Sequence, residues 1–158
     1  MFDHLTDRAR KVMFFARREA QRFNHDFIGT EHILLGIIKE ADGVGFQILT
    51  NLGIDLDALV KNIEGRITVG PSVVLRQIPF TSRAKKALEF ASEFAGRKGN
   101  THIGTESLFY GLACESTDGS ESIACRALAE LGATPQAVEE SVDELLCARK
   151  AYEKNENE

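Results

Sequence analysis

An internal duplication restricts the possible folds of this chain more than any other feature of its sequence. When the 158-residue sequence is shifted by 75 residues, residues 6–11 (TDRARK) align with residues 81–86 (TSRAKK). The same shift aligns residues 28–31 with residues 103–106, and both segments read IGTE. Beyond an insertion near 115–121, a slip of four residues places Leu52-Gly53 on Leu131-Gly132. We therefore predict two copies of one structural unit.

Each copy has the apolar spacing and the start signals of four helices. Apolar residues recur at i, i+3, i+4 and i+7 after each predicted start, and polar or glycine-containing segments separate the helices. The predicted starts are, in chain order, Thr6, Thr30, Val44 and Asp55 in the first copy and Thr81, Thr105, Ser120 and Pro135 in the second. The predicted fold class is all-α, with two pseudo-symmetric four-helix repeats, eight helices in total, packed as one domain.

The predicted boundaries follow from the repeat. Repeat 1 covers residues 1–66, a linker with glycine and two prolines covers 67–79, repeat 2 covers 80–148, and a polar, disordered tail covers 149–158. Residues 73–75 (VVL) are predicted to form a short extended piece of the linker. Gly36 and Gly111 occupy equivalent positions inside predicted helices. We expect a neighbouring helix to approach closely there, the alternative being a bend or an early helix end.

Composition excludes several classes of protein. The net charge of −5 gives no basic footprint for nucleic acid, and no apolar run is long enough to span a membrane. The three cysteines, Cys114, Cys125 and Cys147, are odd in number and form no CxxC motif, which argues against a disulfide framework or a zinc site. We expect a cytoplasmic protein without a cofactor.

The duplicated Gly-Thr-Glu segments, residues 29–31 and 104–106, are the candidate binding sites. Each falls at a predicted helix N-terminus, where free N–H groups and the helix dipole favour an anion. The threonine hydroxyl adds a donor, and the glutamate can bind a guanidinium. A phosphate attached to a guanidinium would use both features. The prediction requires both carboxylates to be accessible. The alternative is that threonine and glutamate merely cap the helix.

No catalytic or metal-binding set can be assembled from the sequence. His25 and His32 lie near the first Gly-Thr-Glu segment and His102 lies near the second, but the sequence lacks an HExxH motif. A metal site needs three or four convergent ligands, so we interpret these histidines as capping or surface residues. There is no GxSxG elbow and no Gly-rich phosphate loop. We therefore predict a binding protein rather than an enzyme.

Two aromatic residues precede the first helix of the two copies. Phe2 and Phe80 are interpreted as packing at the seam between the repeats, more as hydrophobic staples than as ligand contacts. Lys85 and Glu89 lie one turn apart on the first helix of the second copy and are predicted to form a weak exposed ion pair.

These motifs resemble the double Clp N-terminal domain of ClpC-type Clp ATPases, which belong to the AAA+ class. The resemblance rests on Phe-x-x-x-Thr-x-Arg-Ala-x-Lys from Phe2 and on residues 28–37 (IGTEHILLGI), and it extends in both copies to about Leu146. In that family the domain is non-catalytic and lies above an ATPase ring. It binds adaptors and substrates, and the ring unfolds those substrates for an ATP-dependent protease.

The resemblance implies a function for particular residues. ClpC-type members recognise phospho-arginine at two sites, which match Gly29, Thr30 and Glu31 in the first copy and Gly104, Thr105 and Glu106 in the second. The glutamate would bind the guanidinium, and the threonine and the amides would bind the phosphate. A patch that takes peptide-like ligands and adaptors in relatives matches Phe2, Phe80, Lys85 and Glu89.

The sequence departs from the family pattern in two places. The second copy reads GTESLFYG rather than GTEHILLG, and residues 114–122 carry extra polar residues. The chain also has no ATPase module, so the Clp ring is a partner either in cis or in trans. The alternative function is a free-standing paralogue that acts as an adaptor or modulator and does not bind phospho-arginine.

Overall fold

The computed structural model describes residues 3–115 and 122–156, and the described residues form eight α-helices. The first repeat contains α1 (Asp7–Arg22), α2 (Thr30–Glu40), α3 (Val44–Asn51) and α4 (Leu56–Arg66). The second contains α5 (Ser82–Arg97), α6 (Thr105–Cys114), α7 (Ile123–Glu130) and α8 (Pro135–Glu156). The all-helical prediction is therefore confirmed.

The first two helices of each repeat pack against each other through a glycine. A Cβ placed on Gly36 would lie 2.5 Å from the carbonyl oxygen of Val12, and one placed on Gly111 would clash with the carbonyl oxygen of Ala87. The sequence predicted this close approach. Any larger residue would force α1 and α2, or α5 and α6, apart.

The two repeats are joined by exchanged contacts. The third helix of each repeat packs against the second helix of the other, α3 against α6 and α7 against α2. Parallel bridges cross the interface as well, pairing Leu5 with Ile103 and Ile28 with Phe80. One continuous apolar core includes residues of both repeats. The start of α6 therefore lies beside helix α3 of the other repeat.

Hydroxyl and carboxylate groups cap four of the helices where the sequence predicted a start. Thr6 Oγ1 accepts from the N–H of Ala9 at 3.2 Å, and Thr81 Oγ1 accepts from Ala84 at 3.1 Å. Asp55 and Thr134 accept in the same way at the starts of α4 and α8. These caps satisfy amides that have no partner inside the helix.

Three local expectations have separate outcomes. Helix α7 begins at Ile123 behind the cap residue Ser122; the predicted start, Ser120, lies outside the described residues. Residues 73–75 form neither helix nor strand. Residues 149–156, predicted as disordered tail, continue α8. Because residues 146–156 are mostly good helix formers without glycine or proline, nothing stops the helix after its buried part ends.

No helix in residues 3–115 or 122–156 combines the length and the apolar character that crossing a membrane would require.

Candidate functional site

Both Gly-Thr-Glu segments lie at helix N-termini, at the starts of α2 and α6. The N-cap residues are Gly29 and Gly104, both extended, and the threonines are the first helical residues. The predicted start of α2 at Thr30 is therefore confirmed, and the expectation that Thr105 caps α6 is wrong. Both threonines are 2% exposed and so point away from water.

The Thr105 hydroxyl joins the two repeats. Its Oγ1 accepts a hydrogen bond from the N–H of Gly45 at 2.9 Å, at the start of α3. A Cβ placed on Gly43 would lie 2.5 Å from the same oxygen. The two helix starts therefore meet, and the second Gly-Thr-Glu segment belongs to a composite site built from both repeats.

The glutamate of each segment folds back over its own N-cap glycine. A Cβ placed on Gly29 would lie 2.6 Å from Oε2 of Glu31, and one placed on Gly104 would lie 2.5 Å from Oε2 of Glu106. A side chain at either cap would displace the flexible carboxylate of that glutamate. Each carboxylate lies at the positive end of its helix dipole, as the capping interpretation predicts.

An open cavity of about 500 Å³ adjoins the second segment. Glu106 is half-buried and lines this cavity together with residues at the start of α3. Within the described residues, its lining comes from the starts of α1, α3 and α6 and from the end of α8: Thr6, Asp7, Arg8, Asp42, Gly43, Val44, Gln47, Gly104, Thr105, Glu106 and Arg149. Both Glu106 and Arg149 also line an adjoining cavity of about 260 Å³.

The first segment is more enclosed. The side chain of Glu31 is only 12% exposed. Burial raises the pKa of Glu31, and the nearby carboxylate of Glu115 raises it further, while a hydrogen bond from its own backbone N–H and the proximity of His25 oppose the rise. The requirement that both carboxylates be accessible is therefore not met at Glu31, which is nearly covered, whereas Glu106 borders the cavity.

A chain of hydrogen bonds lies behind Glu31. The N–H of Gly29 donates to Nδ1 of His32 at 2.9 Å, so Nδ1 carries no proton and Nε2 does. This Nε2 lies 2.8 Å from Nδ1 of His25, which must accept. The proton of His25 is then on Nε2, which donates to the carbonyl oxygen of Thr68 at 2.7 Å. The chain of hydrogen bonds ties α2 to the linker.

The two histidines of this hydrogen-bond chain and Glu31 are the candidate metal ligands among the described residues. Ligand atoms of His25, Glu31 and His32 lie within 4.8 Å of one another. All four ring nitrogens are engaged in the hydrogen bonds just described. An ion would have to replace those bonds, so the histidines are accounted for as structural residues. His102, near the second segment, is exposed and lies 2.9 Å from the hydroxyl of Thr101.

The predicted peptide patch is divided between two cavities. Phe80 lines one of about 270 Å³, with Met13, Phe14 and the cations Arg10 and Arg17. Lys85 and Glu89 line another of about 260 Å³. Both are exposed, and the ion pairs of the described residues do not include the predicted one between them. Phe2 lies outside the described residues.

Sequence reasoning missed two residues of these surfaces. Leu5 lines both patch cavities and is the true counterpart of Phe80, because the 75-residue shift relates them. That signal was present in the sequence. Arg149 gave no such signal, because its segment has no counterpart in the first repeat and was predicted to be a disordered tail.

Comparisons with known proteins agree with this architecture. The family model for the Clp repeat N-terminal domain matches residues 4–120. The chloroplastic chaperone protein ClpC of Pisum sativum is 41% identical over 142 residues, covering 90% of this chain and 15% of the relative. A probable ATP-dependent Clp protease ATP-binding subunit of Chlamydia pneumoniae is 39% identical over 143 residues, covering 90% of this chain and 16% of the relative. The chain thus spans about one sixth of the length of these relatives or less.

Solved structures share the fold. The N-terminal domain of the chaperone ClpD from Arabidopsis thaliana superposes with a TM-score of 0.69 at 25% identity, covering 92% of this chain and 96% of that one. The N-domain of ClpV from Vibrio cholerae superposes with a TM-score of 0.75 at 15% identity, covering 91% of this chain and 86% of that one. Because the family model matches residues 4–120, all of α1 to α6, this chain belongs to the Clp repeat N-terminal domain family.

Proposed function

We propose that this chain is the substrate- and adaptor-binding N-terminal domain of a ClpC-type ATPase and that it binds phospho-arginine at two sites. The observation that carries the proposal is the position of Glu106 over the N-cap of α6, in an open cavity of about 500 Å³. A carboxylate and a helix N-terminus at one end of one cavity present an acceptor and a set of donors together.

The chemistry of the ligand follows from that arrangement. A guanidinium donates paired hydrogen bonds to a carboxylate, and a phosphate accepts hydrogen bonds from amides at a helix N-terminus. Phospho-arginine carries both groups on one side chain. Glu106 would hold the guanidinium, while the amides at the start of α6 would hold the phosphate.

We propose that the site in the second repeat binds more tightly than the site in the first. At the first, the ligand has to displace Glu31 from an enclosed position where it accepts from its own N–H. At the second, Glu106 already borders the cavity. Because uncovering a group costs free energy that binding has to offset, the more open site has the higher affinity.

The cavities lined by Phe80, Lys85 and Glu89 are the proposed surface for adaptors and peptide-like ligands. They are concave and partly apolar, with charged residues at their rims, which is the usual composition of a peptide-binding surface. A Clp ATPase ring, in cis or in trans, would unfold and deliver the captured protein. The three free cysteines and the net charge of −5 fit the cytoplasmic, non-membrane, non-nucleic-acid setting proposed for it.

The test is a titration of phospho-arginine against the purified domain, with calorimetry for affinity and amide NMR for location. The double variant Glu31→Gln, Glu106→Gln is expected to abolish binding because glutamine keeps the side-chain size and loses the charge. Glu93→Gln, at an exposed position of α5, is the matched control. Circular dichroism verifies that the variants fold. Undiminished affinity in the folded double variant would contradict the proposal.

A second candidate function has its own supporting observation. Glu31 is enclosed and hydrogen-bonded to its own backbone, as expected of a residue that only caps α2. If Glu106 is likewise only a cap, the chain is a Clp N-domain paralogue that modulates partners without binding phospho-arginine. This function predicts no amide shifts at Gly104 or Thr105 in the titration, together with retained binding of adaptors.

A further inference from the structure

Acidic side chains outnumber basic ones around the Glu106 cavity, and without Arg149 of α8 the excess would be larger. The lining includes the carboxylates of Asp7, Asp42 and Glu106, which would repel a phosphate. Arg8, one of the two lining arginines, lies 3.2 Å from Glu40 Oε1 and 3.9 Å from Asp42 Oδ2. Its charge is thus already offset by two acidic groups.

Arg149 is the remaining cation of the described lining. It is exposed, and no carboxylate of the described residues lies within salt-bridge distance of it. It lines both cavities that Glu106 lines. The Arg149 guanidinium therefore lines the same two cavities as the Glu106 carboxylate and does not form an ion pair with it in the described structure.

The position of Arg149 depends on a feature that the first repeat lacks. Helix α4 ends at Arg66, whereas α8 continues to Glu156 and packs against α3 and α6. Under the slip of four residues in the repeat register, Arg66 corresponds to Leu145, so Arg149 lies one turn beyond the end of the equivalent helix. The segment that aligns with it in the first repeat belongs to the linker.

We infer that Arg149 binds the phosphate at the second site and makes that site selective for a dianionic group next to a cation. This inference rests on the proposed function. Glu106 and Arg149 then divide the ligand between them, the carboxylate taking its guanidinium and the arginine its phosphate. At the first site, the amides at the start of α2 would hold the same phosphate.

The experiment compares Arg149→Gln with wild type and with Lys150→Gln, a neighbouring exposed cation outside the described cavity linings. Two probes are titrated, inorganic phosphate and phospho-arginine. Amide shifts of Gly104 and Thr105 report on the second site, and those of Gly29 and Thr30 report on the first. We expect Arg149→Gln to weaken phospho-arginine about 5- to 10-fold at the second site only, as for a solvent-exposed charge pair with good geometry. Arg149→Lys should retain part of that affinity, and Lys150→Gln should change neither site.

The outcomes separate this inference from the function on which it rests. If wild type binds phospho-arginine at the second site and Arg149→Gln binds it equally well, or weakens both sites equally, the role of Arg149 is wrong and the proposed function stands. If phosphate alone shifts Gly104 and Thr105 in an Arg149-dependent way while phospho-arginine does not bind, Arg149 is an anion ligand and the proposed function is wrong. If neither probe shifts these amides in wild type, both are wrong.

Discussion

The two Gly-Thr-Glu turns differ in the residue that follows the glutamate, His32 in the first repeat and Ser107 in the second. His32 is fully buried, and its ring accepts from Gly29 and continues through His25 to the linker. Ser107 is equally buried, but its hydroxyl has no hydrogen-bond partner among the residues that the structure describes. A serine side chain is too short to make the bond that the imidazole makes to the N-cap amide.

The difference shows how a duplicated backbone can acquire unequal sites. In the first repeat the hydrogen-bond chain fixes the start of α2, and Glu31 lies enclosed beside it. In the second repeat the described residues hold no histidine chain of this kind, the start of α6 is joined instead to Gly45 through Thr105, and Glu106 borders an open cavity. The first turn is therefore stabilised by buried hydrogen bonds, whereas the glutamate of the second turn borders an open cavity. Each prediction below removes or isolates one part of this difference.

The largest expected effect is on the pH dependence of stability. Burial lowers the pKa of His32 from 6.5 to about 3 in the folded protein. Between these pH values the unfolded chain binds a proton at this ring and the folded chain does not, so the free energy of unfolding falls as the pH decreases, by up to roughly 1.4 kcal/mol per pH unit. The raised pKa of Glu31 has the opposite sign and offsets part of the loss, because the folded state is then the one that takes up the proton.

Urea unfolding at several pH values between 7 and 4 measures this loss. His32→Ser should flatten the dependence, whereas His102→Ser, which removes an exposed histidine, serves as the control. A slope that is the same in wild type and His32→Ser would show that His32 is not the group responsible.

The second effect is the loss of stability when the serine of the second turn replaces the histidine of the first turn. His32→Ser leaves the N–H of Gly29 and Nδ1 of His25 without their partners and opens a cavity where the ring was packed. We expect it to reduce the free energy of unfolding by about 3 kcal/mol at neutral pH. His32→Gln, which can still accept from Gly29, should lose less. Equal losses in the two variants would mean that packing rather than the hydrogen bond fixes the start of α2.

Some features of the two turns follow from local sequence patterns, and others depend on contacts between distant parts of the chain. The repeat, the helix starts at Thr6 and Thr81 and the close approach at Gly36 all follow from local patterns, because caps and glycine requirements act within a few residues. The cap assignment of Thr105 failed because its hydroxyl bonds to Gly45, a partner that only the packing of α3 on α6 supplies. The burial of Glu31 and the position of Arg149 beside the Glu106 cavity likewise depend on elements that are distant in sequence.

The third prediction concerns affinity at the two sites. Glu106→Gln alone should weaken phospho-arginine binding of the whole domain by about 10-fold, since it removes a charged acceptor at the open site. Glu31→Gln alone should change the overall affinity less than 3-fold, because an enclosed carboxylate has to be uncovered before it binds. Calorimetry with each single variant measures both effects. A larger loss in Glu31→Gln would reverse the order of the sites.

The smallest expected effect comes from the buried hydroxyl of Ser107. Ser107→Ala removes a polar group that has no partner and leaves almost the same volume, so the folded state gains up to about 1 kcal/mol by no longer burying an unsatisfied hydroxyl. Urea unfolding measures the change, with Ser141→Ala, another buried serine, as the matched variant. Destabilisation by Ser107→Ala would mean that this hydroxyl does bond to a neighbouring group. In that case the start of α6 would be fixed as firmly as the start of α2, and the contrast between the two turns would reduce to the exposure of their glutamates.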